Sequence, residues 1–426
     1  HAVADNNGNY RIFNMRPGGP YNVTVQLLGY QTVETQGITI ALADNYVLNT
    51  SLKEEAIGLN AIVVSAVGSK SNMKSDRAGA ITSIDMKTME NLPTITRSMN
   101  DMIKLTPQVY VSSNGPQIGG GTYRSSFVTV DGAAFNNAFG IGQNLPASGS
   151  PISLDAIEQI SISVTPYDVR QSGFTGGSIN AVTRSGSNNI NASVYTYYND
   201  ESFRGDKVGK TTLTLSDSKY LVYGFRVGAP IIKDKLFLFI NAEKEESTEP
   251  GPSSVAATPE KPFTDGSNNV ARPKATVLNS IRDYLKSKYN YETGEYQGYS
   301  SDSPGQKLLA RLDWNINSNH KFNIRYSKTE KKNPSAPSTS TSGLGNTSFT
   351  SSTRTSIYAK YFQNARYYQE TNFSSVAGEL NSRFFDGKIN NTLRVSYSHQ
   401  NEPRSTEGGE FPFVDVVVNG QTYTSY

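Results

Sequence analysis

Few residues in this chain have the types and spacing that catalysis or metal binding requires. The three histidines, His1, His320 and His399, lie far apart, and there is no cysteine. Without cysteine the chain has no thiolate metal site, no cysteine nucleophile and no disulfide. We expect these histidines to be solvated residues of turns or strands, and they predict neither a metal site nor a catalytic triad.

Two glycine-containing stretches match catalytic motifs only in part. Gly205-Asp-Lys-Val-Gly-Lys-Thr211 has one residue too few between its glycines for a phosphate-binding loop, and no helical pattern follows it. Gly177-Ser-Ile-Asn lacks the second glycine of a nucleophile elbow. Carboxylates are plentiful but have no catalytic spacing. We therefore predict that the chain is not an enzyme and uses no cofactor or metal.

The bulk composition excludes two further classes of protein. The net charge is +3, with Lys and Arg scattered along the chain, so nucleic-acid binding is not predicted. No stretch approaches the roughly 18 apolar residues of a transmembrane helix. A membrane β-barrel is still compatible with the sequence, because its strands alternate apolar and polar residues and average to a polar sequence.

From residue 189 onwards, apolar and polar residues alternate with the period of a β-strand. In residues 307–316, for example, every even-numbered position is apolar, and the odd-numbered ones include Arg311 and Asp313. The same alternation later sets Arg394 among polar residues. Seven strands are predicted, at residues 189–199, 219–231, 235–246, 306–317, 320–330, 373–385 and 388–400, and an eighth begins near Phe411.

The connections between these strands alternate in length. Tight turns at residues 232–235, 317–320 and 385–388 alternate with connections of about 60 and about 40 residues, the first of which holds a predicted polar helix at 274–289. Outer-membrane barrels show this alternation, with short periplasmic turns and longer extracellular loops. The pattern therefore favours a membrane barrel over a soluble sandwich.

The stretch before the alternating strands has a mixed character. Strands are predicted at residues 80–84 and 126–130, and a helix at 98–104 ends before Pro107. The last two strands of this region are expected at 154–164 and 178–183, joined by a tight turn at 174–177 with positive φ. The Gly-rich loops at 114–121 and 135–150 are long for a compact domain, which indicates function or mobility. Their ligand-facing candidates are Asn114, Gln117, Tyr123, Phe135, Asn136 and Asn137.

The first 53 residues predict a small β-sandwich. Short strands at 10–13, 21–28, 38–42 and 45–52 are separated by turns such as Pro-Gly-Gly-Pro. A linker with one β-prone run, residues 59–66, follows. Such a strand either pairs with the sheet edge of another protein or belongs to a neighbouring domain of its own chain.

Taken in order, these segments resemble the TonB-dependent outer-membrane receptors, and most of all the Oar-like group of Bacteroidota. Residues 5–13 and 16–23 resemble motifs of the carboxypeptidase-regulatory-like domain. The stretches FVTVDG (127–132), LDAIEQI (154–160) and RQSGFTGGSINAVTRSG (170–186) resemble the family's plug motifs. The residues that carry these plug motifs are Asp131, Gly132, Glu158, Gly173, Gly176, Gly177 and Gly186.

The resemblance implies a mainly β fold in four parts. These are an incomplete regulatory-like β-sandwich (1–53), a linker (54–76), a mixed α/β plug domain (77–187) and the first seven or eight antiparallel strands (188–426) of a transmembrane β-barrel of about 22 strands. The chain is thus expected to be a fragment. The implied function is active uptake of a ligand, peptide or protein-derived, through a plugged barrel in the outer membrane of a Gram-negative bacterium, with the N-terminal domain in the periplasm.

The resemblance also implies partners. The run 59–66 resembles the TonB box, with Leu59, Ile62, Val63, Val64 and Ser65 as the candidate contacts, and this favours pairing with a partner. The implied partners are TonB with its ExbB/ExbD energy complex in the periplasm, outer-membrane lipids and an unidentified extracellular ligand.

Three competing interpretations stay open. Residues 165–174 lack the K-D-A-S-A pattern of SusC-like glycan importers, which argues against a glycan substrate and an obligate lipoprotein lid. A SusC-like importer and a surface lipoprotein partner nevertheless stay open. So do a surface-binding or structural outer-membrane β-protein that transports nothing, and a soluble adhesin.

Overall fold

A computed structural model describes most of the chain. The described residues are 2–13, 15–40, 46–53, 62–64, 81–92, 94, 97–137, 143–165, 173–212, 217–265, 268–338, 354–419 and 421–426. None of the helices in these ranges has the length and apolar character needed to span a membrane.

The largest sheet, which we call the wall, is antiparallel and has the strand order β11-β14-β15-β18-β19-β21-β22. Its strands are β11 (Asn191–Asp200), β14 (Lys219–Ile232), β15 (Leu236–Pro250), β18 (Ser300–Asn315), β19 (His320–Ser335), β21 (Tyr367–Phe384) and β22 (Ile389–Asn401). The short strand β23 (Arg404–Ser405) also pairs with β21. Every wall strand predicted up to residue 400 thus has an observed counterpart.

The period of two places opposite chemistry on the two faces of the wall. In β18, Lys307, Arg311 and Asp313 are buried on the inner face, whereas Leu308 and Trp314 are exposed on the outer face. Because successive side chains of a strand point to opposite faces, one sequence phase builds each surface. The inner face of this strand is therefore mainly polar, and its outer face is apolar.

A smaller unit, the plug, packs against the inner face of the wall. Its sheet has the order β4-β9-β10-β7-β8, in which β10 and β7 run parallel. The plug strands are β4 (Ile81–Asp85), β5 (Val109–Ser112), β6 (Gly115–Ile118), β7 (Phe127–Val130), β8 (Ala133–Ala134), β9 (Ile157–Ser163) and β10 (Ser178–Thr183), and its helices are α1 (Met86–Asn91), α2 (Met99–Ile103) and α3 (Pro146–Gly149). β5 and β6 form a separate hairpin.

Local sequence explains α2, which was predicted at 98–104. Ser98 and Asp101 form a reciprocal capping box at its start. Its residues Met99, Met102 and Ile103 are buried in the plug core. That core continues into the wall, because the same cluster of buried side chains includes the wall residues Phe239, Leu309, Phe373 and Ala377.

The chain passes from the plug to the wall between β10 and β11. Strand β10 pairs with β9 and β7 of the plug sheet. Strand β11 pairs with β14 along its whole length, from Asn191 opposite Gly228 to Asp200 opposite Lys219. The backbone thus leaves one sheet and enters the other within residues 184–190.

The N-terminal domain has a three-stranded sheet in the order β1-β2-β3. β1 (Gly18–Val25) and β2 (Val33–Ile40) are antiparallel, and β3 (Ile62–Val64) lies parallel to β2. The prediction of strands at 10–13 and, within the described part of 45–52, at 46–52 is wrong. The hydroxyl of Tyr10 donates to the carbonyl of Leu48, so a side chain, instead of a backbone ladder, joins these segments.

The long connections of the wall and the segment that follows β23 form a small cap at the end opposite the tight turns. It contains α4 (Ala275–Tyr289), the parallel pair β16 (Val255–Ala257) and β17 (Val270–Lys274), and a sheet of β20 (Lys360–Tyr361), β25 (Gln421–Ser425) and β24 (Asp415–Val418). The strand expected near Phe411 is thus wrong as a wall strand, since β24 and β25 belong to the cap sheet. Between β11 and β14, the two-residue strands β12 (Lys207–Val208) and β13 (Thr211–Thr212) form a hairpin, which is not the helix that a phosphate loop requires.

Candidate plug and wall interface

One contact region between plug and wall is the turn at Asp131, immediately after β7. Asp131 has φ of +47° and Gly132 has φ of +78°. The carboxylate of Asp131 accepts hydrogen bonds from the backbone N–H of Thr183 at 3.0 Å and from its hydroxyl at 2.6 Å. Thr183 is the last residue of β10, so this carboxylate ties together the ends of two central plug strands.

Two arginines of the wall bind the same carboxylate. Arg311 of β18 lies 3.1 Å from one oxygen of Asp131, and Arg325 of β19 lies 3.4 Å from the other. Arg325 also donates to the backbone carbonyl of Val130 at 2.7 Å. Burial by itself would raise the pKa of Asp131, but the two guanidinium groups and the Thr183 hydrogen bonds outweigh burial and hold this pKa below its ordinary value. The turn is therefore an anionic group held by wall cations.

The network extends along the wall on both sides. Arg311 also contacts Asp313 at 3.1 Å. Arg394 of β22 donates to Glu379 of β21 at 2.9 Å, and its guanidinium lies so close to Gly132 that a Cβ there would be 2.5 Å from it. With φ of +78° and this neighbour, position 132 favours glycine. Arg311 and Arg394, which both lie in the polar phase of a predicted strand, thus lie against the plug.

A second contact region joins the plug segment 150–153 to the wall. Lys307 lies 2.8 Å from Glu243 and donates to the hydroxyl of Ser150 at 2.9 Å. Glu243 also accepts from the hydroxyls of Ser153 at 2.7 Å and Tyr195 at 2.9 Å. These groups form one hydrogen-bonded cluster in which the charged atoms are paired, as buried ions require.

A third contact region lies at β11. Arg97 has φ of +49° and forms an ion pair with Asp155. Its guanidinium lies 4.0 Å from the ring centroid of Tyr197 in β11, which is a cation–π distance. Nearby, Glu90 of α1 lies 3.5 Å from Arg184 and 3.6 Å from Arg226 of β14. Separate parts of the plug are therefore anchored to different wall strands.

The predicted motif glycines serve close packing more than turning. Gly173 has φ of +82°, but Gly176 and Gly177 do not have positive φ, so the turn expected at 174–177 is wrong in that respect. A Cβ on Gly177 would lie 2.4 Å from the side chain of Ile118, and one on Gly176 would lie 2.8 Å from the hydroxyl of Ser125. On Gly186 a Cβ would lie 2.6 Å from the carbonyl of Leu238. The remaining motif residue, Glu158, lies in β9 and is half-buried.

Half of the predicted ligand-facing residues have structural roles. Phe135 is fully buried, with its ring centroid 4.7 Å from that of Phe373 and 5.3 Å from the guanidinium of Arg325. Asn136 accepts from the N–H of Val128 at 2.6 Å, and Asn137 is buried and donates to the carbonyl of Gln143 at 3.2 Å. The expectation that Phe135 and Asn137 face a ligand does not fit this burial.

The other half of this set is more open to solvent. Asn114 is exposed, and Gln117 and Tyr123 are partly exposed. Their contact with a ligand stays a prediction.

Of the predicted partner-binding run, only residues 62–64 are described. Their backbone pairs in parallel with β2, from Ile62 opposite Val33, through Val63, to Val64 opposite Thr35. Leu59 and Ser65 lie outside the described residues. β3 thus belongs to the sheet of the N-terminal domain in this structure, and its use by a partner stays a prediction.

Sequence reasoning missed several residues of this interface. Glu243, Lys307 and Arg325 were not singled out, although each lies in the polar phase of an alternating strand. That position was the available signal, because a charged side chain on the inner face of a covered sheet must find a partner. Within the described residues, no group of three or more His, Asp or Glu side chains is placed to hold a metal ion.

A wall with a polar inner face and an apolar outer face, with a hydrogen-bonded plug packed against the polar side, is the arrangement of plugged membrane β-barrel proteins. The chain matches the outer membrane beta barrel domain family over residues 182–425 and belongs to it. This membership indicates the outer membrane of a Gram-negative bacterium. Residues 1–53 match the carboxypeptidase regulatory-like domain.

Similar proteins are known by sequence and by structure. The TonB-dependent transporter Oar of Myxococcus xanthus is 25% identical over 361 residues, which are 81% of this chain and 31% of that protein. The outer membrane transporter YddB of Escherichia coli superimposes with a TM-score of 0.50 at 12% identity, covering 76% of this chain and 39% of YddB. A mutant ferric enterobactin receptor of Pseudomonas aeruginosa gives a TM-score of 0.48 at 10% identity, covering 76% and 41%. The chain thus spans about a third of its curated relative.

Proposed function

We propose that the chain is the plug-bearing part of a TonB-dependent transporter that actively takes up an extracellular ligand. The observation that carries this proposal is the ion network between Asp131 of the plug and Arg311 and Arg325 of the wall. Buried ion pairs contribute little net stability compared with apolar contacts of equal size. Such pairs hold the plug in the pore. Because their net stabilisation is small, a pull separates plug from wall at a small cost in free energy.

The proposed energy source is TonB with ExbB/ExbD, and the proposed contact is the run 59–66. β3 stands at one end of the strand order β1-β2-β3, so in the described sheet one of its edges has no neighbouring strand. An extended segment of a partner adds to such an edge by backbone hydrogen bonds. The similarity to the TonB-dependent Oar transporter supports this assignment.

The ligand we propose is a peptide or protein-derived molecule, captured at the end of the wall that carries the cap. This rests on the resemblance to the Oar-like group, as does an origin in Bacteroidota. Asn114, Gln117 and Tyr123 are the remaining plug candidates for contact with it.

One observation favours a second function, surface binding without transport. The cap is a folded unit with exposed aromatic side chains, among them Tyr284 and Tyr289. A protein that only binds at the cell surface needs such a cap but needs no contact with TonB.

Deletion of residues 59–66 separates the two functions. In the intact protein in its native membrane, we expect the deletion to abolish uptake of a fluorescently labelled tryptic peptide mixture into protease-protected form. A variant with residues 59–66 scrambled at equal length is the matched control for spacing, and it too should lose uptake. Undiminished uptake by the deletion variant, at equal surface expression, would show that the transport proposal is wrong.

A further inference from the structure

The N-terminal domain touches the plug and the wall at the place where they join. The guanidinium of Arg16 lies 3.3 Å from Asp313 on the inner face of β18, and it also donates to the hydroxyl of Ser185, which follows the plug strand β10. One side chain therefore bridges three parts of the molecule. Its hydrogen-bonding groups form a planar fork, which suits binding to two acceptors at once.

A second contact lies two residues further along the chain. Gly18, the first residue of β1, approaches plug strand β9 so closely that a Cβ would lie 2.9 Å from the carboxylate of Glu158. The backbone carbonyl of Arg16 accepts a hydrogen bond from the hydroxyl of Tyr21 at 2.9 Å, which fixes the Arg16 backbone to β1. The docked position is thus defined by an ion pair and by close packing.

Arg16 also reaches the network that holds the plug. Asp313, its partner, is bound by Arg311, and Arg311 binds Asp131 in the plug turn. Charges alternate along this chain of contacts. Removal of the Arg16 guanidinium would leave Asp313 to Arg311 alone and would change the field at the plug turn.

The same domain carries the strand proposed to bind the periplasmic partner. β3 pairs with β2, β2 pairs with β1, and β1 begins two residues after Arg16. A pull on β3 is therefore transmitted by backbone hydrogen bonds to Arg16. The Arg16 side chain is 37% exposed, whereas Asp313 is buried, and an ion pair with one partner open to water is weaker than a fully buried pair.

We propose that Arg16 is a releasable clasp that holds the N-terminal domain over the junction of plug and wall, and that a pull on β3 opens this clasp. The statement that a pull on β3 opens the clasp rests on the proposed function. The statement that Arg16 holds the domain does not, because docking of the domain needs neither a ligand nor an energy source.

The rate at which a maleimide labels a single introduced thiol measures how often the clasp is open. The chain has no cysteine, so Glu158→Cys supplies a unique probe beneath Gly18. In the intact protein in outer-membrane fragments, its reaction with a maleimide reports the fraction of time that the domain is undocked. We expect Arg16→Ala to raise the labelling rate about 1.5- to 5-fold, the range for a partly exposed ion pair. Arg16→Lys should give an intermediate rate, because an ammonium group lacks the planar fork.

Two controls make the labelling result decisive. Arg11→Ala removes an exposed arginine of the same domain and should leave the rate unchanged. A thiol introduced by Lys233→Cys, at an exposed tight turn, should react equally in all backgrounds, which controls for access of the maleimide to the protein. If the Glu158→Cys thiol reacts at the same rate with and without Arg16→Ala, the proposal that Arg16 holds the domain in place is wrong.

The coupling to β3 is tested in intact cells, where the energy source is present, with a small maleimide that crosses the outer membrane. When residues 59–66 are present, a protonophore that removes the energy source should lower the labelling rate of Glu158→Cys, and when they are deleted it should have no effect. An unchanged rate with residues 59–66 present would overturn the coupling. Peptide uptake by the same strains tests the proposed transport function separately. Failure of the clasp proposal is therefore distinguishable from failure of the transport proposal.

Discussion

Asp131→Asn is the substitution that most directly tests whether charge holds the plug in the wall. The amide keeps the size of the side chain but removes the charge that Arg311 and Arg325 share. After the change, Arg311 retains Asp313, and Arg325 retains the carbonyl of Val130. Removal of one partner from a buried ion pair costs about 3–5 kcal/mol. Because both arginines keep an acceptor, we expect the lower end, about 3 kcal/mol.

Urea-dependent conductance is a suitable assay. In a planar bilayer, the intact protein should conduct ions once urea unfolds the plug, while the wall persists. With a urea dependence of about 1–3 kcal/mol per molar for a small domain, the midpoint for opening should fall by about 1–3 M. Asp302→Asn, at an exposed position of the same strand as Arg311, is the matched control and should not shift the midpoint. Equal midpoints for Asp131→Asn and wild type would refute charge as the anchor.

Three further predictions concern buried groups. The pKa of Asp131 in the folded plug lies below its ordinary value of 3.8, so its contribution to stability is fully present above 3.8 and is lost as the pH falls through the folded-state pKa. On acidification, the urea midpoint of the wild type should therefore approach that of Asp131→Asn, and a constant difference would contradict this. Phe135→Ala should destabilise the plug by about 3–5 kcal/mol, as expected for a truncated core aromatic, and an unchanged urea midpoint would mean that the ring is not a core residue. In the cap, burial lowers the pKa of Lys360 to about 8 from its ordinary 10.5. Between these values the unfolded cap binds more protons, so cap stability should rise with pH in the wild type but not in Lys360→Gln, as measured by thermal melting followed by proteolysis of the cap.

The wall was predictable because its sequence signal is local. Each strand is marked by apolar residues at alternate positions, and Leu308 and Trp314 lie on the outer face as this rule requires. The lengths of the connections predicted which neighbouring strands are joined by tight turns and which by long loops. The cap was not predictable from the same signals, because β25 pairs with the distant strand β20, with Thr424 opposite Lys360.

The plug interface was predictable only in part. The alternation of the strands assigned Arg311 and Arg394 to the polar phase, but a sequence does not state which plug atom contacts which wall strand. Asp131 was found through a family motif, and its two arginines lie 180 and 194 residues further along the chain. Phe135 was misjudged because its loop is rich in glycine and polar residues, which are typical of exposed loops, whereas its ring completes the shared core.

The anchors differ in what their release would free. The Asp131 network holds the turn after β7, which continues into β8 and the loop beyond it. The end of β10 shares this network through Thr183, but it is also held in a second way, because the chain runs on through Gly186 into β11, and Gly186 packs against the backbone of the wall. Loss of the Asp131 contacts would thus loosen the turn after β7 while the end of β10 stays covalently and sterically fixed. The geometry favours partial remodelling of the plug over its departure as one body. Asp131 lies at the boundary between the part that would be released and the part that would stay attached to the wall.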